Sequence, residues 1–251
     1  MAGHSKWANI RHKKAKEDLK RAKVFTKLTR EITIAAREGG DAVDSNARLA
    51  LAVDNAKAAN VPKDKIQKAI DKGAGKDNKE GEIFTEVSYE GYGPGGVAFI
   101  LEGTSNNVHR TAGEVRHIFS KGGGNLGETG SVSYLFETKG RLEFATTAED
   151  EWPILETLED YLVDVELYDG RAEVMTARDE LMAVKNVLLQ AGIPVESAEL
   201  VRVPLTSVDV DEETHIKNIE LYQKFEENMD ISAIYWTLAS NEEFEQKYFN
   251  E

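Results

Sequence analysis

Helical apolar spacing fills the first 80 residues, and strand patterns take over after a polar, Gly-containing stretch. Between residues 137 and 204 the order is strand, helix, strand, strand, helix, strand. Together these predict an α+β multidomain protein. The expected parts are an N-terminal helical domain (1–80) and two α/β domains. One α/β domain (81–136 with 205–251) is interrupted by the other (137–204), which is ferredoxin-like and inserted in it.

The first helix rests on Val24, Leu28, Ile32 and Ala35, which recur at helical spacing before Gly39-Gly40 ends the run. A second is expected after Ser45 or Asn46, either of which can cap it, with Leu49, Val53 and Ala56 on one face. Pro62 can open a third, in which Ile66, Ala69 and Ile70 pack inward and which Gly73 stops. From residue 11 to 30 basic residues dominate several turns, and only Leu19 and Ala22 offer apolar surface. That stretch reads as an exposed helix or an arm that orders on contact. Residues 72–82 (KGAGKDNKEGE) lack large apolar side chains and read as a linker.

Strands are expected over 83–89 and 97–102, joined by the Gly/Pro-rich turn EGYGPGG with Tyr92 exposed in it. Residues 111–121 read as a helix with Ala112, Val115, Ile118 and Phe119 on one face. A glycine loop follows at 122–130, then a hairpin made of 131–136 and 141–145. The inserted unit places strands at 142–145, 163–168, 172–176 and 195–203, with helices at 153–161 and 178–191. Asp169-Gly170 is its central hairpin turn, and Pro204 closes it. A helix over 211–228 and a strand over 231–238 are left over, and they complete the interrupted domain.

The chain has 251 residues, enough for two or three cores, and 41% of them are hydrophobic. It contains no Cys, which excludes disulfides, thiolate zinc sites and cysteine nucleophiles and suits a reducing compartment. The apolar stretch near 97–101 is far too short to span a bilayer, and no apolar h-region follows the basic start. A cytoplasmic protein without membrane association is expected.

Charge is distributed unevenly. The first 30 residues carry ten Lys/Arg against Glu17 and Asp18, a balance of +8 in a chain whose net charge is −14. Residues 1–80 stand at +8, 81–140 at −3 and 141–251 at −19. A basic segment on an acidic protein is attracted to a polyanion by release of the phosphates' counterions, and the acidic remainder limits which faces approach. A solvated helix face is the alternative reading of the same run.

The chemical motifs point away from catalysis. GGGNLG (122–127) matches the dinucleotide pattern in letters but follows a helix and opens a strand, the reverse of the required context. Its glycines serve a loop, whose amides could cradle a phosphate beside Arg110, Arg116 and Lys121. His4, His12, His109, His117 and His215 form no metal-binding spacing, and no metal or cofactor is expected. The acidic clusters at 149–151 and 209–213 sit in open polar stretches, unsuited to a raised carboxyl pKa. Trp7, set among Lys6, Arg11 and His12, could stack on a base or anchor the arm.

Several long stretches carry a resemblance: MAGHSKWANIRHKKAK, RAKVFTKLTREITIAAREGG, YEGYGPGGV, RTAGEVRHIFSKGGGNLG and TGSVSYLF. In order, they resemble the YebC/PmpR family, which includes the mitochondrial translational activator of cytochrome c oxidase subunit I. The resemblance implies three domains, one α/β domain inserted in the other. It also implies a regulatory rather than enzymatic role, in transcription on promoter DNA or in translation at stalled ribosomes. Val108 stands where the family usually carries a basic residue, and Met229–Tyr235 departs from its acidic C-terminal segment.

The expectation is therefore a non-enzymatic nucleic-acid-binding regulator, acting on DNA or, alternatively, on ribosomal RNA. Nucleic-acid contacts are assigned to Lys6, Trp7, Arg11, His12, Lys13, Lys14, Lys16, Lys20, Arg21, Lys23, Lys27 and Arg30, the cations meeting phosphates. Arg110, Arg116 and Lys121 form the candidate second patch.

Overall fold

A computed structural model describes residues 17–76, 83–146, 151–168, 170–241 and 243–245, with backbone alone for 17–22 and 151–152. In chain order the elements are α1 (Glu17–Gly39), α2 (Ala47–Ala58), α3 (Lys63–Gly73), β1 (Thr85–Tyr92), β2 (Ala98–Ser105), α4 (Val108–Lys121), β3 (Asn125–Leu126), β4 (Phe136–Ala145), α5 (Glu151–Thr157), β5 (Asp164–Tyr168), β6 (Arg171–Ala177), α6 (Leu181–Gln190), β7 (Ser197–Pro204), α7 (Glu212–Glu227) and β8 (Ile231–Trp236). The chain packs as two compact units. One holds residues 24–81 and 138–202, the other 1–23, 82–137 and 203–251.

In the first of these units, α1, α2 and α3 enclose a small core of Ile32, Ala35, Leu49, Val53, Ile66 and Ile70. Val24, expected in this core, is 45% exposed. The stripe runs from Phe25 and Leu28 instead, because apolar residues on both sides of a turn leave its frame ambiguous by one position. Asn46 is the α2 cap. Its side chain accepts from the Leu49 amide at 3.0 Å and donates to the carbonyls of Ala35 and Gly40, each at 2.8 Å. A Cβ on Gly39 would lie 2.5 Å from the Asn46 amide nitrogen, so glycine ends α1 for reasons of space.

The same unit contains a four-stranded sheet ordered β5-β6-β4-β7, with α5 and α6 in the connections. This is the ferredoxin-like order. Leu142, Phe144, Val174, Val184 and Leu188 form its core, and Leu51 of α2 packs against it. Gly170 has φ 78° at the β5–β6 turn; Asp169 lies outside the described residues.

The second unit is built on a sheet ordered β3-β1-β2-β8. Strand β8 pairs with β2, Phe99 opposite Trp236, so the C-terminal strand completes the sheet begun by β1 and β2. Helices α4 and α7 cover one face, where Phe99, Phe119, Phe225 and Trp236 meet, the Phe119 and Phe225 rings 4.6 Å apart.

The expected hairpin of 131–136 and 141–145 is not formed. Residues 136–145 are one strand, β4, and Ser133–Leu135 is a 3-10 turn. The cause is Glu90, only 6% exposed, whose carboxylate accepts from the amides of Gly130, Val132 and Ser133 at 2.8, 2.7 and 2.9 Å. Those amides are unavailable to a strand ladder. Gly140 lies inside β4 opposite Thr176, where a Cβ would meet the Thr176 and Leu181 side chains, so the strand has room there only for glycine. Tyr92, expected in an exposed turn, is instead the half-buried last residue of β1, its hydroxyl donating to the Ser131 carbonyl at 3.1 Å.

Candidate nucleic-acid interface

The basic N-terminal segment enters the structure as α1. Lys6, Trp7, Arg11, His12, Lys13, Lys14 and Lys16 lie outside the described residues, and Lys20 and Arg21 are described in backbone only. Lys23, Lys27 and Arg30 follow on the same helix and are half-buried rather than splayed into solvent. Lys27 places its Nζ 4.0 Å from Glu199 Oε2.

Glu199 belongs to a set of charges that composition alone left anonymous. Arg141 of β4 donates to it and also stands 3.9 Å from Glu173 of β6. Burial favours the neutral form of Glu199, but the charges of Arg141 and Lys27 and the Arg141 hydrogen bond outweigh it and hold the carboxyl down at about 2. Glu173 goes the other way. Burial raises it to about 7, Arg141 opposes this, and the carboxylates of Glu143, Glu166 and Glu199 add to the rise. Burial likewise works against the Arg141 guanidinium, yet its carboxylate neighbours keep it more firmly protonated than usual.

Arg110, Arg116 and Lys121 all stand on α4, which Asn107 caps by accepting from the Arg110 amide at 3.0 Å. The three do not gather into one patch. Helical spacing puts Arg110 and Lys121 on one side with Glu114 and His117, and Arg116 about a third of a turn away with His109. Arg116 and Lys121 are exposed. The guanidinium of Arg110 is committed elsewhere, donating to Asp230 at 2.6 Å and to Asn106 at 3.0 Å, with Glu114 at 3.7 Å. Asp230, 5% exposed, also accepts from Thr111 at 2.7 Å and Ser105 at 3.2 Å. Burial would raise its pKa, but these hydrogen bonds and the Arg110 charge prevail and keep it below the ordinary range.

Asp230 is what a reading of the sequence missed. It lies 120 positions from Arg110, and nothing local marks it as a partner. The glycine loop is also less available than its composition suggested. The amides of Gly122, Gly124 and Gly127 donate to the carbonyls of Ile118, Phe119 and Glu90, and that of Gly130 to the Glu90 carboxylate. Those amides are spent within the chain, so the loop does not present them to a phosphate.

Among the described residues, no group of three or more His, Asp or Glu side chains is placed to hold a metal ion. No described helix is long and apolar enough to cross a membrane.

Comparison with known proteins gives consistent matches. Residues 5–76 match the TACO1/YebC protein N-terminal domain, and residues 84–238 match the TACO1/YebC second and third domain. A "Probable transcriptional regulatory protein" of Persephonella marina is 47% identical over 253 residues, spanning 98% of this chain and 99% of that protein. One of the same description from Pseudomonas putida is 46% identical over 236 residues, with 94% of each covered. The crystal structure of a conserved hypothetical protein from Aquifex aeolicus superposes with a TM-score of 0.83 at 44% identity, covering 92% of this chain and 95% of that one. With both halves of the sequence matched and relatives this similar over nearly their whole length, the chain belongs to the TACO1/YebC family.

Proposed function

We propose that this protein is a cytoplasmic, non-enzymatic regulator of transcription that binds duplex DNA through the phosphates, using the basic segment from Lys6 to Arg30. The observation that carries this is the +8 balance of the first 30 residues on a chain of −14. The relatives' description as probable transcriptional regulatory proteins supports the same role. The perturbed carboxyls do not suggest a reaction: Asp230 and Glu199 are held ionised by the cations they bind, and Glu173 is enclosed on a sheet. We read the chain as three domains, 1–80, 81–136 with 205–251, and 137–204.

Phosphate contacts fix affinity and position and leave sequence choice to other groups. Replacing Lys13, Lys14, Lys20 and Lys23 by Ala is expected to weaken binding to unrelated duplexes alike. The slope of log affinity against log salt should flatten by about one unit per lost contact. An unchanged slope would place the contact elsewhere. Co-sedimentation with ribosomes, combined with no preference for promoter over random duplex, would move the same segment onto ribosomal RNA.

A further inference from the structure

Strands β4, β6 and β5 are neighbours, and their register sets Glu143 opposite Glu173 and Glu173 opposite Glu166. Leu142, Phe144, Ala172 and Val174 belong to the core beneath the sheet, so strand alternation turns the three glutamates to the other face. Like charges directly across strands weaken a sheet. The arginines on this face do not neutralise the row, because each pairs more closely with a carboxylate outside it. Arg141 pairs with Glu199 and Arg171 with Glu196, at distances well below those to Glu173 and Glu143, both 3.9 Å. The face therefore keeps an excess of carboxylate.

Residues 24–39 of helix α1 belong to the same unit. Its core side carries Phe25, Leu28, Ile32 and Ala35, and helical spacing puts Lys27, Arg30 and Ile34 on the opposite side. Ile34 is 0% exposed although it lies outside the three-helix core, so this side of α1 is covered. The contact that identifies the cover is Lys27 to Glu199. A cation assigned to phosphate thus already faces a carboxylate of its own chain.

We propose that the carboxylate face of the inserted sheet occupies the basic side of α1 in place of phosphate, so that this face and nucleic acid compete for Lys27. The competition rests on the phosphate-binding reading of the N-terminal segment. It makes the acidic sheet an internal brake on affinity, released when a polyanion outbids it.

The test uses the full chain and a labelled duplex of mixed sequence at two salt concentrations. Glu199→Gln is expected to tighten binding about threefold, the scale of one partly exposed ion pair. Glu159→Gln, which removes an equal charge from an exposed position of the same unit, should change it by clearly less. In a Lys27→Ala background the advantage of Glu199→Gln over Glu159→Gln should vanish. A measurement on the unaltered protein stands in if Glu199→Gln fails to fold: the side-chain carboxyl carbon resonance of Glu199 should move on saturation with duplex. Equal tightening by both glutamine variants, or a stationary Glu199 resonance beside normal salt-dependent binding, overturns the competition and leaves the phosphate reading intact. Failure of every variant to bind duplex DNA or single-stranded RNA overturns both.

Discussion

Asp230 and Glu173 are both carboxyls with little exposure; burial pushes both upward, but their surroundings leave Asp230 lowered and Glu173 raised. Asp230 receives hydrogen bonds from Arg110, Thr111 and Ser105, and these outweigh its desolvation. Its stabilising contribution is present above the ordinary value of 3.8 and is lost as pH falls through its lower folded value. Asp230→Ala leaves Ser105 and Thr111 without their acceptor and Arg110 without its closest counter-charge. A loss of about 3 kcal/mol at neutral pH is expected in urea unfolding.

Glu173 has one cation at 3.9 Å and carboxylates on both adjacent strands, so burial prevails and its pKa rises from 4.5 to about 7. The folded state holds this proton through a range in which the unfolded chain has released it, so stability is fullest below 4.5 and declines as pH rises through about 7. The decline amounts to up to about 3 kcal/mol. Glu173→Gln should flatten that stretch of the pH profile, making the variant more stable than the parent at pH 8 and little different at pH 5. A parallel decline in both proteins would show that Glu173 is not the titrating group.

Among the helices and strands, the elements governed by local chemistry were legible. Of the two residues the pattern left open as a cap for α2, Ser45 and Asn46, it is Asn46 that caps it. Asp211, expected as the first helical residue, instead caps α7, accepting from the Thr214 amide at 2.8 Å. Because Asn46 also ties down the carbonyls of Ala35 and Gly40, Asn46→Ala should cost about 2 kcal/mol, at the upper end for a cap. Thermal unfolding checks this, and a loss of only a few tenths would mean that the two carbonyl contacts contribute nothing. The segment 131–136 was misread for the converse reason. Its alternation suits a strand, but Glu90, some 40 positions earlier, takes the amides that a strand would use.

Across whole units, the helical residues and the inserted sheet are joined by specific polar contacts. Asn55 of α2 both donates to the Ala198 carbonyl at 2.9 Å and accepts from the Ala198 amide at 3.1 Å, imitating a neighbouring strand at β7. Nearby, Lys185, 5% exposed, reaches Asp54 at 3.0 Å. Asn55→Ala should therefore speed amide exchange at Ala198 while leaving Leu142 in the sheet centre protected, provided global stability falls by only about 1–2 kcal/mol. Unchanged exchange at Ala198 would show that the amide keeps its protection without the side chain. The pairing also tempers the simple picture of a basic pole and an acidic pole, since Lys27 and Glu199 come from opposite ends of that charge gradient and meet.

Most of the helix and strand order, a cap for α2 at 45 or 46, the ferredoxin-like sequence of elements and the basic character of the first 30 residues follow from the chain alone, because each depends on neighbours within a few positions or on summed charge. Which charges remain for a partner is a different matter. Arg110 is taken by Asp230, and Lys27 faces Glu199. Both pairs join residues far apart in sequence, and only folding brings them close enough for a Coulomb interaction that falls with distance to act. Local periodicity carries no record of such encounters, so the tertiary structure alone decided them.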